Sequence, residues 1–315
     1  MKRILTIVFS LLILCSTNGA FAKKKKSKAE EKAFQNDLPA YMIYDKEGKK
    51  VTYSAMIKEL KKHEILLFGE LHDDPIAHWL EKLVTKEIVA AKKDSVILGG
   101  EMWETDQQLL LNELLNRTID KKTYMQYDVN WPNFRDYKPL IGIAMKNNLP
   151  FICTNIPRRY ANIIYKQGEQ YLDSLSDAAK SYLPPMPVYY DLEQPAYANM
   201  LSLFASDDDK GHKSHNPMAK FKGPNLVKAQ AIKDATMAHN ILKHWKKGKY
   251  FIHYNGVYHS QNYQSIYFYL KHYKPEVDIV TISVARQANA LELEGRNKTG
   301  DFNIIVNGSM HKTYD

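Results

Sequence analysis

The sequence predicts an α/β protein: a mostly parallel sheet flanked by helices, with a smaller helical insertion. Three observations predict it. Five short apolar runs are continuous rather than alternating, as strands covered on both faces are. Helical stretches separate the runs, which calls for parallel pairing through right-handed crossovers. The rhythm then breaks between 156 and 225, where helical patterns and a proline-rich segment replace the strands.

The runs are EILLFG (64–69), SVILGG (95–100), LPFICTN (149–155), KYFIHYN (249–255) and VDIVTISV (277–284), with a weaker last run, FNIIV, at 302–306. A helix follows the first run. Pro75 stands in its first turn, where proline is tolerated, and Asp73 and Asp74 suit its positive end. The stretch 104–116 is a second helix, with Thr105 or Asp106 as N-cap. Further helices are expected over 137–148 and 261–273. Another covers 225–248, closing on basic residues and Gly248. The segment 156–225 holds LPPMPVYYDLEQP and then the polar SDDDKGHKSHNPMAKFKGPN. It reads as a helical insertion with a mobile loop over one end of the sheet. The α/β core is therefore 41–155 plus 226–315. No internal repeat is evident.

Of 315 residues, 44% are hydrophobic and 25% charged, which sets aside a disordered chain. Lys2 and Arg3, the apolar stretch 4–14 and Ala20-Phe21-Ala22 read as a secretory signal peptide over 1–22. Export to the periplasm, or association with the outer membrane, follows. Cys15 offers a lipid-anchor reading, but Leu14 stands where a small residue is usual, so simple cleavage is preferred. Residues 23–40 are a basic linker. Lys23 to Lys26 read as a solvated tail, or as contact with an anionic surface. No aromatics interleave with them, so nucleic acid is not an expected partner. Cys153 is the only cysteine after the leader and has no partner for an internal disulfide. In its apolar run it reads as a buried small hydrophobe rather than a nucleophile.

Ligands of open parallel sheets bind beyond the carboxyl ends of the strands. Glu70 and His72 follow the first run, Glu101 the second, and His259 the fourth; Asn155 ends the third. A lone glutamate there is usually a solvated or capping residue. Glu70 and Glu101, however, each follow a glycine, which permits close backbone approach. His72, two residues beyond Glu70, shares its side in extended chain. Together Glu70, His72, Glu101 and His259 are a donor set for a divalent transition metal. They serve equally as acid–base groups. Their spacing matches no short metal motif. His78, beside Trp79, reads first as amphipathic filling. Gln230 and Asp234, at i and i+4, share a face that continues into Met237, Ala238 and Ile241. That face reads equally as a structural pair or as a site wall.

Haem is the other chemistry in view. The chain has 21 tyrosines. Tyr258 adjoins His259 with Tyr263 close by, and His212 and His215 lie in the polar loop near Met218. Tyrosine and histidine are axial haem ligands. Ordinary packing accounts for most of the tyrosines.

The segments FGELHDDPIAH, GGEMWETDQQLLLNELL, WPNFRDYKPLIGIAMKNNLPFICTNIPRR, KAQAIKDATMA and Gly256 to His259 occur in order between about 64 and 284. As a set they resemble the ChaN-like family, part of a wider group of haem-uptake, erythromycin-esterase-like and Tiki-like proteins. The resemblance implies a helix-flanked parallel sheet and haem binding at the bacterial envelope, in iron acquisition and often as a lipoprotein. It implies haem as ligand, an outer-membrane haem receptor as a further partner, and a homodimer as an open reading. Some relatives in the wider group are hydrolases, some with a divalent metal. The positions carried over from them are Glu70, His72, Glu101 and His259. His212 and His215 match a histidine-bearing loop before the KAQ segment. Tyr258 departs from the glycine that many members place before the late histidine, and supplies a phenol there. The expected function is an exported haem-binding protein of iron acquisition. The alternative is a metal-dependent esterase or peptidase that uses the strand-end Glu and His groups.

Overall fold

The apolar runs pair into one seven-stranded sheet in the computed structural model, which describes residues 38–127, 133–191, 194–205 and 224–314. The strands are β1 (Tyr41–Asp45), β2 (Ile65–Glu70), β3 (Val96–Glu104), β4 (Phe151–Asn155), β5 (Tyr250–Gly256), β6 (Ile279–Gln287) and β7 (Phe302–Asn307). Their order is β1-β7-β6-β2-β5-β3-β4. All neighbours are parallel except β1, which runs antiparallel to β7 along one edge.

Successive side chains of a strand point to opposite faces. In β2, Leu66 and Phe68 enter one apolar core while Ile65 and Leu67 enter the other. All four are fully buried. Both faces are thus closed, which is why the run lacks polar alternation. Truncating Leu67 to alanine would cost about 2–5 kcal/mol through lost contact and the cavity left behind.

Helices α1 (Tyr53–Leu60), α2 (Pro75–Lys92), α3 (Gln108–Leu115), α4 (Lys121–Tyr127) and α5 (Phe134–Asn147) cover the first face. Helix α2 starts where the sequence places it. Asp74 is its N-cap, its Oδ1 accepting from the amides of Ile76 and Ala77 at 2.9 Å each. The second face carries α6 (Arg158–Gln167), α9 (Pro224–His244) and α10 (Ile266–Tyr273). The short α7 (Asp177–Lys180) and α8 (Pro195–Ala205) lie between α6 and α9 in the chain. Residues 38–315 form one compact unit. Among the described residues no helix is long and apolar enough to cross a membrane.

Three details differ from the sequence reading. Strand β1 and helices α1 and α4 were not expected. β3 runs past Gly100 to Glu104, with a register shift against β4, so Glu101 lies within the strand rather than after it. The turn before α3 is capped by Glu104, not by Thr105 or Asp106. Gln107 Oε1 accepts from the Glu104 amide at 2.9 Å, and a single 3₁₀ turn precedes the helix. Cys153 is buried in the first core, as its run suggests. The signal peptide, the basic linker, His212 and His215 lie outside the described residues.

Candidate functional site

β2, β5 and β3 lie side by side, so their carboxyl ends meet in the middle of the sheet. In register, Gly69 pairs with Asn255 and Glu70 with Gly256. Both glycines make close approaches. A Cβ on Gly69 would lie 2.9 Å from Ser260 Oγ and 3.1 Å from Val257 Cα; one on Gly256 would lie 2.7 Å from His72 Nε2. The same Gly256 position is 3.5 Å from Glu101 Oε2. Each glycine precedes a site histidine by three residues, His72 and His259. This doubled Gly-x-x-His spacing is a sequence signal that the reading of single positions passed over. Where Tyr258 replaces the glycine before the late histidine, Gly256 makes the close backbone approach.

Two buried networks flank Gly256. In the first, His259 sits between two carboxylates. Its Nδ1 is 2.5 Å from Asp234 Oδ1 and its Nε2 is 3.1 Å from Glu101 Oε1. Burial works against the charge on His259, but Glu101 and Asp234 outweigh it and push its pKa up to about 10. Glu101 responds in kind: burial would raise it, yet His259, His72 and the Gly256 amide hold it at about 2. That amide donates to Glu101 Oε2 at 2.7 Å. Asp234 shifts upward because of its burial. The Tyr197 hydroxyl donates to its second oxygen at 2.9 Å. Gln230 Nε2 lies 3.2 Å from His259 Nε2. The face read on α9 therefore points inward: Asp234, Met237, Ala238 and Ile241 are all buried, with Gln230 at the rim.

The second network lies on the α2 side. Glu70 Oε1 is 2.6 Å from His72 Nδ1 and accepts from the Tyr137 hydroxyl at 2.5 Å. Glu70 Oε2 is 3.2 Å from His78 Nδ1, which is 3.0 Å from Glu81 Oε2. Burial would raise the Glu70 carboxyl, but the hydrogen bond with His72 and the charge of the nearby His78 reverse this and hold it below the ordinary range. Burial and the nearby Glu70 charge drive Glu81 the other way, well above it. His78 is thus more than amphipathic filling. Glu81 and Tyr137 were missed from sequence. Glu81 carried a signal in its i,i+3 spacing from His78 on α2; Tyr137, far along the chain, carried none.

Between α6, α9 and the ends of β3 and β4 lies a cavity of about 310 Å³, lined by Glu101, Glu104, Asn155, Arg158, Gln230 and Lys233 among others. Asn155 is nearly buried and donates to the Glu101 carbonyl at 3.0 Å. A second cavity of about 370 Å³ adjoins Tyr258, with Leu71, Val257 and Val284 in its walls and Arg286, Arg296 and Lys312 among its lining. Tyr258 is 75% exposed. Its hydroxyl makes no hydrogen bond among the described residues.

The structure thus brings Glu101, Asn155, Gln230, Asp234 and His259 together, and Glu70, His72 and His78 beside them. The four expected metal ligands reach one edge without converging on one point. His259 has a carboxylate on each nitrogen and presents neither to a metal. Among the described residues, the group whose donor atoms all lie within 4.8 Å is Glu70, His78 and Glu81.

A mostly parallel sheet with buried ionisable groups and two cavities at its carboxyl edge places the candidate site where open parallel sheets bind ligands. The comparisons make this specific. The chain matches over residues 56–270 the model of the family described as haem-binding uptake, Tiki superfamily, ChaN, and it belongs to that family. Its fold is similar to that of ChaN of Campylobacter jejuni, in a structure described as cofacial haem binding. That similarity has a TM-score of 0.64 at 18% identity and covers 85% of this chain and 97% of that one. A Bacillus cereus protein matches at TM-score 0.42 and 12% identity, over 74% of this chain and 68% of that one, too distant to carry an argument. No curated protein matches the chain in sequence.

Proposed function

We propose that this protein binds haem at the carboxyl edge of its sheet, with the Tyr258 phenol meeting the iron. The observation that carries the reading is the placement of Tyr258. It is an exposed phenol on the turn after β5, beside a cavity of mixed lining that includes Leu71, Val257 and Val284 and three cations, Arg286, Arg296 and Lys312, each also paired with a carboxylate. Haem is a flat apolar ring with two carboxylates and an iron that accepts tyrosine. Phenol, walls and cations match those parts, and membership of a haem-binding uptake family supports the same ligand. Hydrolysis gains less from the geometry. A histidine acting as general base needs a free nitrogen near neutral pH, whereas His259 is held as an imidazolium between two carboxylates.

The wider role follows as part of the proposal: an exported protein that handles haem for iron acquisition. The leader read over 1–22 supports export, and fractionation of expressing cells tests it. The ligand is tested by adding ferric haem and recording absorbance for Tyr258→Phe, His212→Ala and His215→Ala. A loss confined to the two histidine variants would move the iron away from Tyr258.

A further inference from the structure

We infer that the protein holds a divalent transition-metal ion between Glu70, His78 and Glu81, on the α2 side of the sheet. The site uses residues other than Tyr258 and stands apart from the haem reading.

The first support is geometry. Glu70, His78 and Glu81 are 1%, 7% and 0% exposed. His78 Nδ1 is 3.2 Å from Glu70 Oε2 and 3.0 Å from Glu81 Oε2. Nitrogen and oxygen ligands at about 2.0–2.2 Å from a tetrahedral ion stand roughly 3.3 Å apart. His78 Nδ1 therefore stands from both carboxylates near the spacing that an ion would impose, and all three donor atoms lie within 4.8 Å of one another.

The second support is the orientation of each donor. His78 Nε2 is 2.9 Å from the His72 carbonyl oxygen. Donation there holds the proton on Nε2, so a metal would replace only the Nδ1 proton that His78 shares with Glu81. The Glu70 oxygen facing away from His78 is already held by His72 and Tyr137. Its other oxygen, Oε2, is the one directed at the cluster.

The third support is independent of both. Glu70 Oε2 and Glu81 Oε1 are buried and accept no hydrogen bond from an N–H or hydroxyl, and the two carboxyl groups are close enough to share a proton. The approach of His78 Nδ1 to Glu70 Oε2 is close but not aligned as a hydrogen bond. Unpartnered buried carboxylate oxygens are costly. A divalent cation would displace that shared proton and bind both carboxylates. One nitrogen and two oxygens, without sulfur, suit Zn²⁺, Mn²⁺ or Fe²⁺ rather than Cu⁺.

The test is metal analysis of the full-length chain as purified, then chelation and titration with Zn²⁺ and with Mn²⁺ by calorimetry. The expected result is about one metal per chain at a single site. It is abolished in Glu81→Gln and kept in Glu101→Gln. A folded wild-type protein that takes up neither ion overturns the proposal. So does binding that survives Glu81→Gln. Should Glu81→Gln fail to fold, Tyr137→Phe decides. It removes a group that orients Glu70, so metal affinity falls about 10–100-fold; unchanged affinity overturns the assignment.

Discussion

Gly256→Ala tests the packing on which the site depends. The added Cβ would lie 2.7 Å from His72 Nε2, 3.1 Å from His72 Cε1 and 3.5 Å from Glu101 Oε2. Ordinary contact needs roughly 3.5–4.0 Å, so the imidazole must retreat by close to 1 Å. It cannot do so cheaply, because its Nδ1 is tied to Glu70 at 2.6 Å. Overpacking of this kind costs about 1–3 kcal/mol. In a unit of this size, about 2 kcal/mol lowers Tm by roughly 4–8 °C. Gly142→Ala is the matched control. Gly142 lies inside α5, and a Cβ there meets nothing within 4 Å. Helix propensity then favours alanine by about 0.5–1 kcal/mol, and Tm rises slightly. Thermal unfolding by circular dichroism reads both. A Gly256→Ala protein as stable as wild type would refute the close approach of His72 to β5.

Three further outcomes follow. His259→Gln leaves Glu101 and Asp234 buried without their cation and destabilises by about 3–5 kcal/mol in urea denaturation; a loss under 1 kcal/mol would contradict the buried triad. The pH dependence has a defined sign. With its pKa raised to about 10, His259 contributes stability that is complete below its ordinary value of 6.5 and fades as pH rises toward 10. Glu101, lowered to about 2, contributes stability present above 4.5 and lost as pH falls toward 2. The stability gap between wild type and His259→Gln should therefore shrink by a few kcal/mol between about pH 6.5 and 10; a constant gap would show that no imidazolium is present. Asp74→Ala removes the α2 cap and the partner of Arg286 Nη2 at 2.7 Å. It should cost about 2–4 kcal/mol in the same assay, and a loss below 1 kcal/mol would argue against that capping role.

The sheet was legible in the sequence because its strands are closed on both faces, and continuous burial leaves continuous apolar runs. β1 was not legible for the converse reason. YMIYD is a short edge strand, antiparallel to β7, with only two of its five residues buried. The strand-end residues Glu70, His72, Glu101 and His259 were legible because chain direction alone carries them to one edge. Their partners were less so. Tyr137 reaches Glu70 from α5, and Tyr197 reaches Asp234 from α8, across 67 and 37 residues of chain. No local pattern encodes such contacts. The split of the ionisable residues into two networks depends on the side of the sheet each one faces. In β3 the alternation that sends Ile97 into the second core carries Glu101 to the same side.

Haem binding through Tyr258 is tested by titrating ferric haem into the full-length protein and into Tyr258→Phe, with absorbance recorded in the Soret region. Wild type should show a saturable Soret change, weakened at least tenfold in Tyr258→Phe and preserved in a Tyr263→Phe control. No spectral change with wild type, or identical titrations for wild type and Tyr258→Phe, would contradict it.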